Sequence, residues 1–146
     1  MKVLVIVKAN KDSEAEVLPS EKILTEMGKF NEELVDAGML LSGEGLRSSA
    51  KGIRVRFSGE KRTVESGPFR PAEEQIAGFW LWQVKSMEEA IEWAKRIPNP
   101  EREAAEFEIR PVFEAEDFGP NFTPELRERE ARLRARSEPP SADVKR

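Results

Sequence analysis

The chain contains no cysteine and no histidine in 146 residues. Without cysteine there is no disulfide, no thiolate nucleophile and no usual structural zinc site. Without histidine the commonest general base and transition-metal ligand are missing. Only oxygen ligands remain, with no clustered carboxylate motif, so no metal site and no cofactor is expected. Long apolar runs are also lacking: nothing reaches the roughly 18 residues of a membrane span. Lys8 interrupts the first apolar stretch too early for a secretory h-region. Neither membrane insertion nor export is indicated, and a cytoplasmic protein is expected. The formal net charge of −4 supplies no overall attraction to nucleic acid and disfavours it as a partner. What is present, 38% hydrophobic and 36% charged residues, suffices for one core.

Along the chain, Lys2 to Lys8 is short, β-branched and apolar at both parities, as in a strand covered on both faces. Ile23, Leu24, Met27, Phe30 and Leu34 recur at helical spacing between Pro19-Ser20 and Gly38, predicting a helix of about five turns. The polar residues 9–14 between the two match no phosphate-binding pattern and are assigned no chemistry. Met39 to Leu46 reads as a strand whose glycines mark a bulge or close backbone approach. Ile53, Val55 and Phe57 alternate with Arg54 and Arg56, and after Ser58-Gly59-Glu60 the chain pairs back through Thr63-Val64-Glu65 as a hairpin with one basic face. Ile76 to Val84 forms a strand with Phe79 and Leu81 on one side and Trp80, Trp82 and Val84 on the other. Ser86 caps a second helix with Glu89 three residues on, and Pro98-Asn99-Pro100 stops it. Phe107, Ile109 and Phe113 alternate in a last strand, which Pro111 places at an edge or brings to an end. The rest is rich in Arg and Glu: Thr123-Pro124 starts a helix through Leu126 and Leu133, and a frayed tail is expected beyond Ser137. There is no long internal repeat.

Gly67-Pro68 is the strongest turn signal, since glycine tolerates unusual φ and proline fixes φ and lacks a donor. It runs through Phe69 toward the apolar strand at Ile76. Small-molecule sites are often built at such a turn, although a plain corner with Phe69 plugged into the core reads equally well.

Thr63-Val64-Glu65-Ser66-Gly67-Pro68-Phe69, Glu74 to Trp80, Met87 to Ala94 and Glu108-Ile109-Arg110-Pro111-Val112 together resemble the YCII-related family, and within it the DGPF branch. The likeness spans residues 1–115, leaving 116–146 as a charged, partly helical or disordered tail. Ser66 stands at the aspartate of Asp-Gly-Pro-Phe, with Glu65 one residue earlier. The resemblance implies an α+β fold, a ferredoxin-like antiparallel sheet with two helices on one face and a hairpin insertion, paired into a dimeric α/β barrel. A homodimer also fits the strand pattern, because an apolar sheet face left bare in a monomer would be covered. Relatives regarded as lyase- or isomerase-like carry a histidine and aspartate pair, and this chain has no histidine. DGPF-type domains further resemble partners found beside certain sigma factors, which makes a signalling or transcriptional partner a candidate.

Proton transfer would rest on carboxylates, and Glu44, Glu65 and Glu108 are the candidates because they lie in or beside strands. As solvent-facing glutamates in so charged a chain they have an ordinary explanation. Arg47, Lys51 and Arg110 offer cations to an anionic ligand, whereas Arg54 and Arg56 read as solvent-facing, and Glu108 neutralises Arg110 in the plainer view. Phe69, Trp80 and Trp82 offer an aromatic lining, or simply core. The function read from this set is a homodimeric small-molecule-binding protein with a cleft near the dimer interface. The alternative is a lyase- or isomerase-like enzyme using a carboxylate on a small carbonyl or lactone substrate.

Overall fold

The computed structural model describes residues 1–138. The frayed tail expected beyond Ser137 therefore lies almost wholly outside the described residues. The chain divides into two compact units, Met1–Val112 and a second beginning at Phe113.

In the first unit, strands β1 (Lys2–Lys8), β2 (Leu40–Gly45), β5 (Ile76–Gln83) and β6 (Phe107–Pro111) form an antiparallel sheet in the order β2-β5-β1-β6. Helix α1 (Lys11–Glu14) and helix α2 (Glu21–Asp36) follow β1, and α3 (Met87–Ala94) follows β5. Strands β3 (Ile53–Ser58) and β4 (Lys61–Ser66) make a separate two-stranded hairpin around Gly59-Glu60. Fold class is thus α+β with antiparallel sheets, and no barrel closes among the described residues.

The helices start where polar side chains satisfy their free N–H groups. Ser20 accepts from the Ile23 N–H at 3.2 Å and Ser86 from the Glu89 N–H at 3.2 Å. Glu89 reaches back to the Lys85 N–H rather than to the cap residue itself. Gly38, at φ +71°, ends the α2 region in a conformation that penalises any Cβ.

One parity of the sheet is the core. Val3, Val5, Trp80, Trp82 and Val84 pack beneath Phe30 and Leu34 of α2 and Ala90 of α3, with Trp82 and Leu34 fully buried. Phe30 meets the Trp80 ring edge-on at 6.0 Å. Because both parities of β5 are apolar, periodicity alone left open which face the helices cover; the structure puts the tryptophans under them and leaves Leu4, Phe79 and Leu81 half-exposed on the other side. Gly43 and Gly78 do mark close approaches: a Cβ at Gly43 would lie 2.9 Å from the Trp80 ring, and one at Gly78 would lie 2.8 Å from the Glu44 carbonyl oxygen. The β2 register shifts between Leu40 and Ser42, the bulge that its glycine-rich sequence suggests. The last strand lies at the sheet edge and stops at Pro111, as expected; Phe113 alone departs, continuing the alternation in sequence but not in the sheet.

In the second unit, Phe113 stacks on Phe118 at 4.9 Å and Phe118 meets Phe122 at 5.3 Å. Helix α4 (Pro124–Ser137) is capped by Thr123, which accepts from the Leu126 N–H, and carries Glu128–Arg132 and Glu130–Arg134 pairs one turn apart. Leu126 and Leu133 remain about half exposed.

Candidate functional site

The Gly67–Phe69 turn is docked on the 3-10 turn Ser49–Lys51. The Gly67 N–H donates to the Gly52 carbonyl at 2.9 Å and the Phe69 N–H to Ser49 Oγ at 2.9 Å. The approach is so close that a Cβ on Gly67 would sit 1.7 Å from the Ser49 carbonyl oxygen. Only glycine fits, for steric reasons that do not involve φ. Phe69 is thereby buried, 9% exposed, with the Arg54 guanidinium 3.8 Å above its ring centre. The Gly67-Pro68 and Arg70-Pro71 bonds flanking it are both cis.

The polar stretch after β1 supplies the other wall. Asn10 accepts from the Ser13 N–H and Ser13 Oγ from the Asn10 N–H, which closes the four-residue helix α1. The carboxylate of Glu14 then accepts from both the N–H and the hydroxyl of Ser49. Glu16 accepts from Arg47 Nε at 2.8 Å and Nη2 at 2.9 Å, and from the Ser48 N–H at 3.0 Å. Fork-on-carboxylate geometry favours the charged form of both partners. The Arg47 hydrogen bonds, with that of Ser48, hold the Glu16 carboxyl down at about 2, and Glu16 raises Arg47 in turn. Residues 9–14 were assigned no chemistry from sequence, yet Glu14, together with Glu16 just beyond them, fastens the whole 47–49 segment. No local signal identifies them, since their partners are more than 30 positions away.

Phe69 separates two cavities. One, of about 550 Å3, is lined by Lys11, Glu14, Arg70 and Glu73 with Pro68 and Pro71, so cations and carboxylates balance there. The other, of about 530 Å3, is bounded by Arg47, Lys51, Arg54 and Glu74 around Phe69. Glu16 already neutralises Arg47, so the cations left there are Lys51 and Arg54 against the one carboxylate of Glu74. Lys51 and Arg54 enter no ion pair among the described residues, while Arg47 keeps its remaining donors beyond the Glu16 fork.

The candidate residues separate into groups. Arg47 and Phe69 come together at the second cavity. Arg54 is exposed, as expected, and in addition stacks on Phe69 because the base of the hairpin lies against the turn. Glu65 faces Arg56 across the hairpin at 2.8 Å, and Glu108 lies 3.4 Å from Arg110 on the edge strand, both pairs exposed. Trp80 donates its indole N–H to Asn31 at 3.0 Å and, with Glu44, borders a smaller cavity of about 300 Å3 at the β2 edge. Trp82 lies in the core, 0% exposed, and its indole N–H finds no acceptor among the described residues. Neither Glu44, Glu65 nor Glu108 shares a cavity with Phe69. No group of three or more acidic side chains is placed to hold a metal ion among the described residues, and no described helix is long and apolar enough to cross a membrane.

Residues 1–116, which contain the whole sheet, the hairpin and the docked turn, match the model of the YCII-related domain. The chain belongs to the YCII-related family. A similar protein, uncharacterized, from Rhizobium meliloti (strain 1021), is 27% identical over 92 residues, 63% of this chain and 74% of that one. The YCII-related domain thus includes the Phe69 cavity and its cation surplus in full.

Proposed function

We propose that this YCII-related protein, of the DGPF branch by its Ser66-Gly67-Pro68-Phe69 turn, is a homodimeric binding protein for a small organic anion seated over Phe69. The observation that carries the reading is the cavity of about 530 Å3 in which Lys51 and Arg54, beside an Arg47 already paired with Glu16, outnumber Glu74 around a buried aromatic ring. That volume suits a drug-sized or smaller molecule. The ring offers apolar contact and the guanidinium of Arg54 a planar fork for a carboxylate. The fold reading that goes with it is ferredoxin-like, supported by the strand order β2-β5-β1-β6 with α2 and α3 against one face. The homodimer reading is supported by Leu4, Phe79 and Leu81 half-exposed on the opposite face, where a second copy would cover them. The enzymatic alternative lacks support of this kind, because its three carboxylates stand outside the cavity.

Titration calorimetry with benzoate, benzamide and benzylamine tests the anion reading. A charge-assisted hydrogen bond is worth about 1.5–3 kcal/mol, so benzoate should bind roughly tenfold or more tighter than its neutral isostere. The preference should disappear in Arg54→Gln. Equal binding of benzoate and benzamide, or tighter binding of benzylamine, refutes it.

A further inference from the structure

The cavity of about 550 Å3 on the other side of Phe69 lies outside the anion site, and hydrogen bonds fix each of its walls. Helix α1 is tied to Ser49 through Glu14, and the Gly67–Phe69 turn is tied to Ser49 and Gly52. The third wall is the 3-10 turn Ala72–Glu74, where the Pro71 carbonyl accepts from the Glu74 N–H at 3.2 Å and from the Gln75 side-chain amide at 3.3 Å. A cavity whose shape is set before any ligand arrives is the usual form of a small-molecule site.

Three charged side chains line this cavity unpaired. Lys11 of α1, Arg70 and Glu73 enter no ion pair and no side-chain hydrogen bond among the described residues, although both signs are present. Glu14, the fourth charge, is committed to the N–H and hydroxyl of Ser49. Pro68, Phe69 and Pro71 add apolar surface beside them. A simple anion placed here meets the carboxylates of Glu14 and Glu73, and a simple cation meets Lys11 and Arg70. A molecule carrying both charges answers each sign with its opposite.

We propose that this cavity binds a small zwitterion of the amino-acid type, its carboxylate on Arg70 and Lys11, its ammonium on Glu73 and its apolar side chain against Pro68 and Pro71. The planar fork of Arg70 matches a carboxylate. Arg70 and Glu73 stand three residues apart on either side of Pro71-Ala72, so one short ligand spans both. The site is independent of the anion reading: Phe69 is the wall between the two cavities, and neither Lys51 nor Arg54 lines this one.

Titration calorimetry of the full chain with L-leucine, 4-methylpentanoate and 3-methylbutylamine decides the matter, since the last two keep the branched chain and one charge each. L-leucine should bind at least roughly tenfold tighter than either, the scale of one charge-assisted hydrogen bond. Glu73→Gln should abolish the advantage over 4-methylpentanoate, and Lys11→Gln/Arg70→Gln the advantage over 3-methylbutylamine. All three positions are exposed, so near-UV circular dichroism of the variants should match that of the native chain. Arg54→Gln should leave L-leucine binding within about twofold of native. No L-leucine binding up to about 10 mM, or binding no tighter than that of either analogue, overturns the zwitterion. L-leucine binding that Glu73→Gln leaves unchanged overturns the site, and its loss in Arg54→Gln instead would put the ligand across Phe69 in the anion cavity.

Discussion

Replacing Gly67 by alanine tests the central contact of the site. The added Cβ would lie 1.7 Å from the Ser49 carbonyl oxygen and 2.7 Å from its carbonyl carbon, both backbone atoms that no rotamer change can move aside. The turn must therefore back away from the 49–52 segment. Two hydrogen bonds, Gly67 N–H to Gly52 and Phe69 N–H to Ser49, are stretched by that retreat. Each contributes about 1 kcal/mol, and overpacking adds about 1–3 kcal/mol. A loss of about 3–5 kcal/mol is expected, a large part of the 5–15 kcal/mol typical of a native domain. At about 2–4 °C per kcal/mol for a chain of this size, the melting temperature falls by about 6–20 °C. Urea unfolding followed by tryptophan fluorescence measures it, and Gly28→Ala is the internal control. Gly28 lies within α2 with nothing within 4 Å of its added Cβ, so that substitution should stabilise by about 0.5–1 kcal/mol. A Gly67→Ala midpoint within about 0.5 kcal/mol of native would show that the turn is not held by this contact.

Glu16→Gln should lower stability at neutral pH and cease to matter in acid. The folded-state carboxyl, held at about 2, lies below its ordinary 4.5. Its contribution is therefore present in full above 4.5 and lost as pH falls toward 2. Urea midpoints of native and variant should converge across that window, and a gap independent of pH would refute the assignment. Asn31→Ala removes the acceptor of the Trp80 N–H, leaving a largely buried donor unpaired at a cost of about 1–3 kcal/mol. Tryptophan emission in the folded state should shift with it, and an unchanged midpoint would mean that the bond is dispensable.

Much of the sheet was readable because its signals are local. The α2 stripe and its serine cap, the β3–β4 alternation around Gly59-Glu60, and Pro111 at an edge all follow from spacing and backbone chemistry. The inner face of β5 was not readable, since a strand apolar at both parities has no preferred side until helices are laid on it. Phe113 kept the period of β6 but lies beyond the proline that ends the strand. At the site, Gly67 and Phe69 announce themselves as turn chemistry, and Arg47 as a cation. Their partners do not. Glu14 and Glu16 look like any acidic residues in a polar loop, and what sets them apart is a chain fold that brings positions 47–49 to them. Arg54 is exposed as its alternation suggests, but its stacking on Phe69 has no local signal, the partner being 15 residues away on the far side of a hairpin.

Glu16 on Arg47 and Glu14 on Ser49 have one more effect, on the order in which the molecule comes apart. Each links positions separated by 31 or 35 residues, so α2 and β2 sit inside a closed ring of chain fastened by an ion pair and hydrogen bonds, with no covalent link. Such a ring limits the conformations open to the enclosed segment only while the fastening holds. In a chain without cysteine it behaves as a reversible buckle. Acid releases the Glu16 fastening only as pH falls toward 2, and hydrogen exchange there should find the 47–52 segment loosening before the tryptophan core.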